Sequence, residues 1–218
     1  PLLKQYKQKN YVEVKKGAVK ASFGRLWETL KQMSKNKKVF LFLIAFFCYI
    51  DGVYTIIDMA TAYGQALGLD TTGLLLALLV TQVVAWPFSI LFGRLSKKYD
   101  SNTLITICIC AYTGIAFYAL FLVSLTQFWI LAVCVGMFQG AIQALSRSYF
   151  AKIIPAEKSG EYFGIYDICG KGASFLGTTI MGLATQLTGN ANVGIAALSI
   201  LFIVGLFFFR KQAKIISD

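Results

Sequence analysis

Besides Arg147 at the very end of one of them, four charged side chains interrupt the apolar stretches of this 218-residue sequence: Asp51, Asp58, Asp167 and Lys171. An ionised carboxylate at mid-bilayer depth costs about 2.5–3.5 kcal/mol on insertion scales. Such residues persist where a water-filled cavity, a partner or a function requires them. Asp51 and Asp58 are two helical turns apart, and with Tyr54, Thr55 and Gln65 they form one polar stripe. The stripe predicts an aqueous path in which Asp51 binds a cation or a proton. Asp58 either shares that work or is simply solvated near the outer interface. Asp167 and Lys171 are four apart with the acid first, the favourable order for an intrahelical ion pair, and Ser174 and Thr178 continue their stripe. Either the two neutralise each other so that the helix can insert, or Lys171 faces a polar cavity and holds an anionic group such as a carboxylate. Gln139 and Gln143, one turn apart and continued by Ser146 and Arg147, bond either a solute or a neighbouring helix.

Other chemistries fail on residue type. There is no histidine, which removes Ser-His-Asp and Cys-His catalysis and most zinc hydrolase designs. Cys48, Cys108, Cys110, Cys134 and Cys169 all fall inside apolar stretches and read as packing residues. Gly170-Lys171-Gly172 lacks the Ser or Thr and the preceding strand of a phosphate loop. Tyr166-Asp167 supplies half of an intramembrane aspartyl protease pair, but the Gly-x-Gly-Asp half is missing. The sequence therefore predicts no enzyme, no metal and no cofactor.

The elements that must position these residues are membrane helices. Hydrophobic residues make up 57% and charged residues 14%, against about 25% charged in soluble domains. Six apolar stretches each approach the roughly 20 residues that a bilayer crossing needs: Val39–Tyr63, Gly73–Phe92, Asn102–Val123, Phe128–Tyr149, Phe163–Leu187 and Val193–Phe209. The fold class is thus all-α membrane protein. The formal charge is +11, and 11 of the 21 Lys and Arg precede the first stretch. Nine of the other ten cluster at 94–98, 147–158 and 210–214, with Lys171 the exception. Basic clusters between apolar spans read as topology determinants facing anionic lipid rather than as a nucleic-acid surface. Both termini and the two basic loops are therefore expected on the cytoplasmic side, as an even number of crossings requires.

Residues 1–38 read as a basic cytoplasmic linker, 39–210 as the transmembrane domain and 211–218 as a cytoplasmic tail. Within the linker, 1–17 is a polar lead-in. Val19, Phe23, Leu26, Trp27, Leu30 and Met33 recur at helical spacing over about 18–33, as in an interfacial amphipathic helix or a solvated linker helix. Ala132, Gly136, Gly140 and Ala144 form a small-residue face for close helix packing, and Pro87 predicts a kink in the second span. The third and sixth spans carry no charge and are expected to be peripheral.

Gly93-Arg94-Leu95-Ser96-Lys97-Lys98 resembles the cytoplasmic loop signature of the major facilitator superfamily, with Lys97 where that signature has an acid. The run Tyr49 to Ile56, the run Gly136 to Ser148, and Pro155, Glu161, Phe163-Gly164, Tyr166 and Gly170-Lys171 resemble the branch containing autophagy-related vacuolar amino-acid effluxers and their bacterial relatives. The resemblance implies one half, the C-terminal six helices, of a twelve-helix carrier working by alternating access on amino acids or similar small polar solutes. Within such a half, Asp51, Tyr54, Thr55, Asp58, Gln139, Gln143, Asp167 and Lys171 are expected at the substrate or ion site, and Gly93, Lys98, Arg147 and Glu161 at a cytoplasmic gate. The implied partners are the N-terminal half, membrane lipids and a small polar solute. The implied location is a bacterial inner membrane, in a multi-pass protein. Pro1 in place of Met is compatible with a fragment or split half, and equally with removal of an initiator Met. The alternative reading is a non-transporting or self-associating six-span protein, an assembly factor or a channel-like homodimer.

Overall fold

Short polar residues set where the helices begin. The computed structural model describes residues 18–217, with side chains placed over 24–215 except at 25. In chain order it contains α1 (Ala18–Lys35), α2 (Lys37–Ala66), α3 (Thr71–Leu95), α4 (Ser101–Tyr118) with a 3₁₀ turn at Ala119–Phe121, α5 (Leu125–Ile153), α6 (Ser159–Lys171), α7 (Phe175–Thr188), α8 (Ala191–Ala197) and α9 (Ser199–Ser217). Asn36, Asp70, Asp100, Ser124 and Asn190 accept a backbone N–H from the first turn of α2, α3, α4, α5 and α8, with Ser124 and Gln127 forming a capping box. The lead-in 1–17 and the side chains of Val19 and Phe23 lie outside the described residues.

Helices α2, α3, α4 with its turn, α5, and α8–α9 taken together are each long and apolar enough to cross a bilayer. Their limits follow the lengths of the apolar runs, and the described residues contain no strand. Pro87 does not interrupt α3. The helix runs through it, and the Val83 carbonyl that loses its helical donor belongs to an exposed residue. The uncharged third and sixth spans are peripheral on one face only, since α9 buries Phe202, Phe209 and Gln212 while exposing Ile203 and Phe207.

The expected fifth span, Phe163–Leu187, is not one helix. It is α6 and α7, of 13 and 14 residues, interrupted at 172–174. Gly170 and Gly172 weaken the helix on either side of Lys171. Ser174 adopts φ +84°, a left-handed conformation that an α-helix cannot continue through. A break in a membrane helix leaves backbone donors without partners where no water can serve them. Asp51 supplies the acceptors. Its Oδ2 takes the Leu176 N–H at 3.1 Å and its Oδ1 takes the Gly177 N–H at 2.6 Å, while the Thr55 hydroxyl donates to Oδ1 at 3.4 Å. Asp51 and Thr55 are completely buried. Gly177 is required by this approach, because a Cβ there would collide with Thr55 Oγ1 and with Asp51 Oδ1.

Small residues bring the other helices together. Gly205 of α9 lies so close to α2 that a Cβ would sit 3.1 Å from the Tyr49 backbone nitrogen. Gly136 and Gly140 seat α5 on Thr81 and Ser89 of α3, and the Thr81 hydroxyl donates to the Ala132 carbonyl at 3.2 Å. At the basic end Phe42 packs against Tyr149, Phe150 and Phe209 with ring centroids 5.3, 5.6 and 6.3 Å away. Helix α1 buries Thr29 and Met33 but leaves Trp27 70% exposed and Leu30 outward, so its apolar residues divide between the protein and the surroundings.

Three substitutions test the break. Asp51→Ala strands the Leu176 and Gly177 donors, at about 1–3 kcal/mol each, whereas Asp51→Asn retains one acceptor oxygen. Unfolding of the purified protein in detergent should show a loss of several kcal/mol for Asp51→Ala and Gly177→Val, and a smaller loss for Asp51→Asn. Equal stability of Asp51→Ala and the parent would mean that the carboxylate does not hold α7.

Candidate functional site

An i, i+4 row on α2, Phe46, Ile50, Tyr54 and Asp58, forms one wall of a cleft of about 640 Å³. Gly140, Gln143, Ala144 and Arg147 of α5 form the second wall. Tyr166, Asp167, Gly170 and Lys171 of α6, followed by Ala173 and Ser174 of the break, form the third. The small residue Ala144 leaves room that a larger side chain would fill, and Gly140 presents only backbone. The broken fifth span brings Lys171 and Ser174 to the cleft edge.

The charges balance in type and differ in state. Arg147 Nη1 meets Asp167 Oδ1 at 3.0 Å, and its guanidinium carbon lies 4.9 Å from the centroid of the Phe163 ring. Asp58 Oδ2 accepts the Ser174 hydroxyl at 3.0 Å. The Lys171 ammonium, the Gln143 amide and the Tyr54 hydroxyl have no hydrogen bond or ion pair among the described residues. Aromatic rings close one side: Tyr166 stacks on Phe46 at 4.1 Å and on Phe150 at 4.9 Å. The arrangement offers a solute one available cation, one carboxylate whose present partner is a neutral hydroxyl, hydrogen-bonding amide and phenol groups, and aromatic faces.

Several expected site residues are elsewhere. Asp51 and Thr55 do not line the cleft; the first turn of α7 covers them, so Asp51 faces backbone donors instead of water. Gln139 is outside the cleft, with its Oε1 buried and without a partner. Asp167 does not pair with Lys171 along α6. It reaches across to Arg147 on α5, because Lys171 is the last residue of α6 and the break turns the chain there. The expected gate residues do not gather. Arg147 lies in the cleft, Glu161 accepts the Thr29 hydroxyl of α1 at 2.8 Å, and Gly93 and Lys98 are exposed around the α3–α4 connection. Phe46, Gly140, Ala144 and Tyr166 joined the cleft without having been singled out for it. Ser174 had been read only as part of a stripe, although Gly170-Lys171-Gly172 was a visible interruption of an apolar run.

Solvent access should follow this division. In a background with the five native cysteines replaced, Asp58→Cys and Gln143→Cys should react with a water-soluble thiol reagent, and Thr55→Cys should resist it. Equal labelling at 55 and 58 would show that α7 does not cover the inner aspartate.

Comparison with known proteins agrees with the helical architecture and supplies the lineage. The uncharacterized MFS-type transporter YxiO of Bacillus subtilis (strain 168) is 44% identical over 206 residues, covering 94% of this chain and 48% of that protein. Autophagy-related protein 22 of Saccharomyces cerevisiae (strain S288c) is 32% identical over 177 residues, 76% of this chain and 34% of its own. The Kluyveromyces lactis protein of the same name is 29% identical over 197 residues, 85% and 40% respectively. The chain thus spans half or less of the length of these relatives, which are named as transporters or as autophagy-related proteins. A profile described as vacuole effluxer Atg22 like matches residues 2–212, nearly the whole sequence. The chain belongs to the vacuole effluxer Atg22-like family, a branch of the major facilitator type.

Proposed function

We propose that this chain forms one half of a secondary transporter and that the cleft between α2, α5 and α6 is its share of the solute site. The solute class is a small zwitterion such as an amino acid. One observation carries this reading: among the described residues, the cleft holds an ammonium with no hydrogen-bond or ion-pair partner, Lys171, together with a carboxylate whose one partner is a hydroxyl, Asp58. A zwitterion satisfies both, its carboxylate on Lys171 and its ammonium on Asp58. Asp58 takes the role that the sequence had assigned to Asp51, because Asp51 is committed to α7. The names of the relatives support transport, and the chain's share of their length supports a second half as the partner. Helix α3 supports that partner too, since Leu79, Val83 and Trp86 leave a long apolar face 63–74% exposed. The basic end lies on the cytoplasmic side, where Trp27 and Leu30 of α1 meet the headgroup region.

Transport then proceeds by alternating access, with the cleft facing the second half across the centre of the molecule. Arg147 and Asp167 neutralise each other beside the solute, which leaves Lys171 and Asp58 to meet its two charges.

The test uses the complete transporter reconstituted in vesicles. Lys171→Gln and Asp58→Asn should each weaken amino-acid binding about tenfold to a hundredfold, the scale of a lost charged hydrogen bond of about 1.5–3 kcal/mol. Asp51→Asn should reduce the yield of folded protein more than the affinity of what folds. Unchanged flux in Lys171→Gln would refute the site.

A further inference from the structure

The two aspartates of α2 hold the two sides of one break in different ways. Asp51 is buried and binds the first turn of α7 through two backbone N–H groups. Asp58 is exposed in the cleft and binds the Ser174 side chain of the link itself. Each piece of the broken span also has contacts of its own. Helix α7 packs on α8, where a Cβ on Gly194 would lie 2.9 Å from the Met181 carbonyl. Helix α6 is tied at its start to α1 through Thr29–Glu161 and Gln32–Lys158. Among the described residues, the link 172–174 has one side-chain hydrogen bond to a neighbouring helix, Ser174 to Asp58. Ser174 is also the one non-glycine residue there with positive φ, a conformation that persists only while its surroundings enforce it.

We propose that Ser174 and Asp58 couple solute binding to a hinge between α6 and α7: the ammonium of a bound solute takes the Asp58 oxygen that Ser174 now uses, and the released link lets α6 change its angle to α7. This rests on the transport reading above and adds the residue through which the site acts on the fold. A ligand shifts a conformational equilibrium only through what it contacts differently in the two states, and the contact here is the Asp58 carboxylate. Solutes carrying an ammonium therefore trigger the hinge, and a carboxylate alone, held by Lys171, does not. Asp51 keeps α7 seated throughout, because its acceptors are out of reach of the solute.

The experiment measures the distance between spin labels at Ile168→Cys on α6 and Leu187→Cys on α7, both exposed positions. It uses the complete transporter, with native cysteines replaced, in lipid nanodiscs. The probes are leucine and 4-methylpentanoate, which is leucine without its ammonium, with binding measured in parallel. Leucine should shift the distance distribution and 4-methylpentanoate should not. Ser174→Ala and Ser174→Gly should show the shifted distribution without any solute. Both should bind leucine about tenfold more tightly, because no hydroxyl competes for Asp58. A merely structural serine would not improve affinity when removed. Bound leucine with an unmoved distribution, or a solute-free Ser174→Ala identical to the parent, overturns the hinge. Failure of leucine to bind while Ser174→Ala still shifts the labels overturns the amino-acid reading instead.

Discussion

A helix interrupted inside a membrane has donors and acceptors that water cannot reach, and the fold depends on how they are served. Here one carboxylate accepts two backbone N–H groups from the first turn of α7. The partial positive charge at a helix start and the full negative charge on Asp51 stabilise each other, so neither is an uncompensated charge in an apolar setting. That pairing explains why a fully buried aspartate is tolerated, why residue 177 is glycine, and why the chain can interrupt its fifth span beside the cleft. Without it, α7 would be a 14-residue helix ending in unpaired polar groups.

The helices were legible in the sequence because bilayer thickness fixes their length, and apolar runs of that length show through a simple count. The caps Asp70 and Ser124, which set the true starts of α3 and α5, lie outside the apolar count. The break was less legible, because Phe163–Leu187 stays apolar on both sides of Gly172, and the glycines flanking Lys171 are common enough in membrane helices to pass as packing residues. The different surroundings of the two aspartates are hidden in the sequence for a related reason. Seven residues place them about 20° apart around α2, so a helical wheel assigns them one environment. What separates them is the element lying over each, and that is tertiary information. The partner of Asp167 was likewise out of reach, since Arg147 lies on another helix and periodicity ranks only neighbours within a turn.

Close packing and openness are distributed by residue size. Glycines at 136, 140 and 205 let α5 meet α3 and α9 meet α2 at backbone distance, which gains dispersion and weak polar contacts where lipid offers no hydrophobic drive. On the cleft side Ala144 lines the space in front of α2 with little bulk, and Gly140 lines it with backbone alone. One helix thus packs tightly on one side and leaves a cavity on the other, by the placement of residues that lack bulk.

The anchoring of the bundle is uneven in a way that bears on motion. At the end remote from the basic clusters, Tyr63, Asn192 and the Leu122 carbonyl form a buried network joining α2, α8 and the turn after α4. At the basic end, the Tyr149 hydroxyl and the Gln212 amide join α5 to α9, also buried. Helix α6 has no such buried polar tie among the described residues. Its bonds are to Thr29 and Arg147, with Lys158 just before it bonding Gln32, and each is partly or fully exposed. Exposed ion pairs contribute about 0–1 kcal/mol, less than the loss of a buried hydrogen bond would cost. What holds α6 against α2 and α5 is the stacking of Tyr166 on Phe46 and Phe150, contacts of about 0.5–1.5 kcal/mol beyond area burial that tolerate sliding better than a directional bond does. The element with the weakest directional anchors is therefore the one that carries Asp167 and Lys171. A carrier that must change the angle of one wall while keeping its bundle intact would have to distribute its hydrogen bonds in this way.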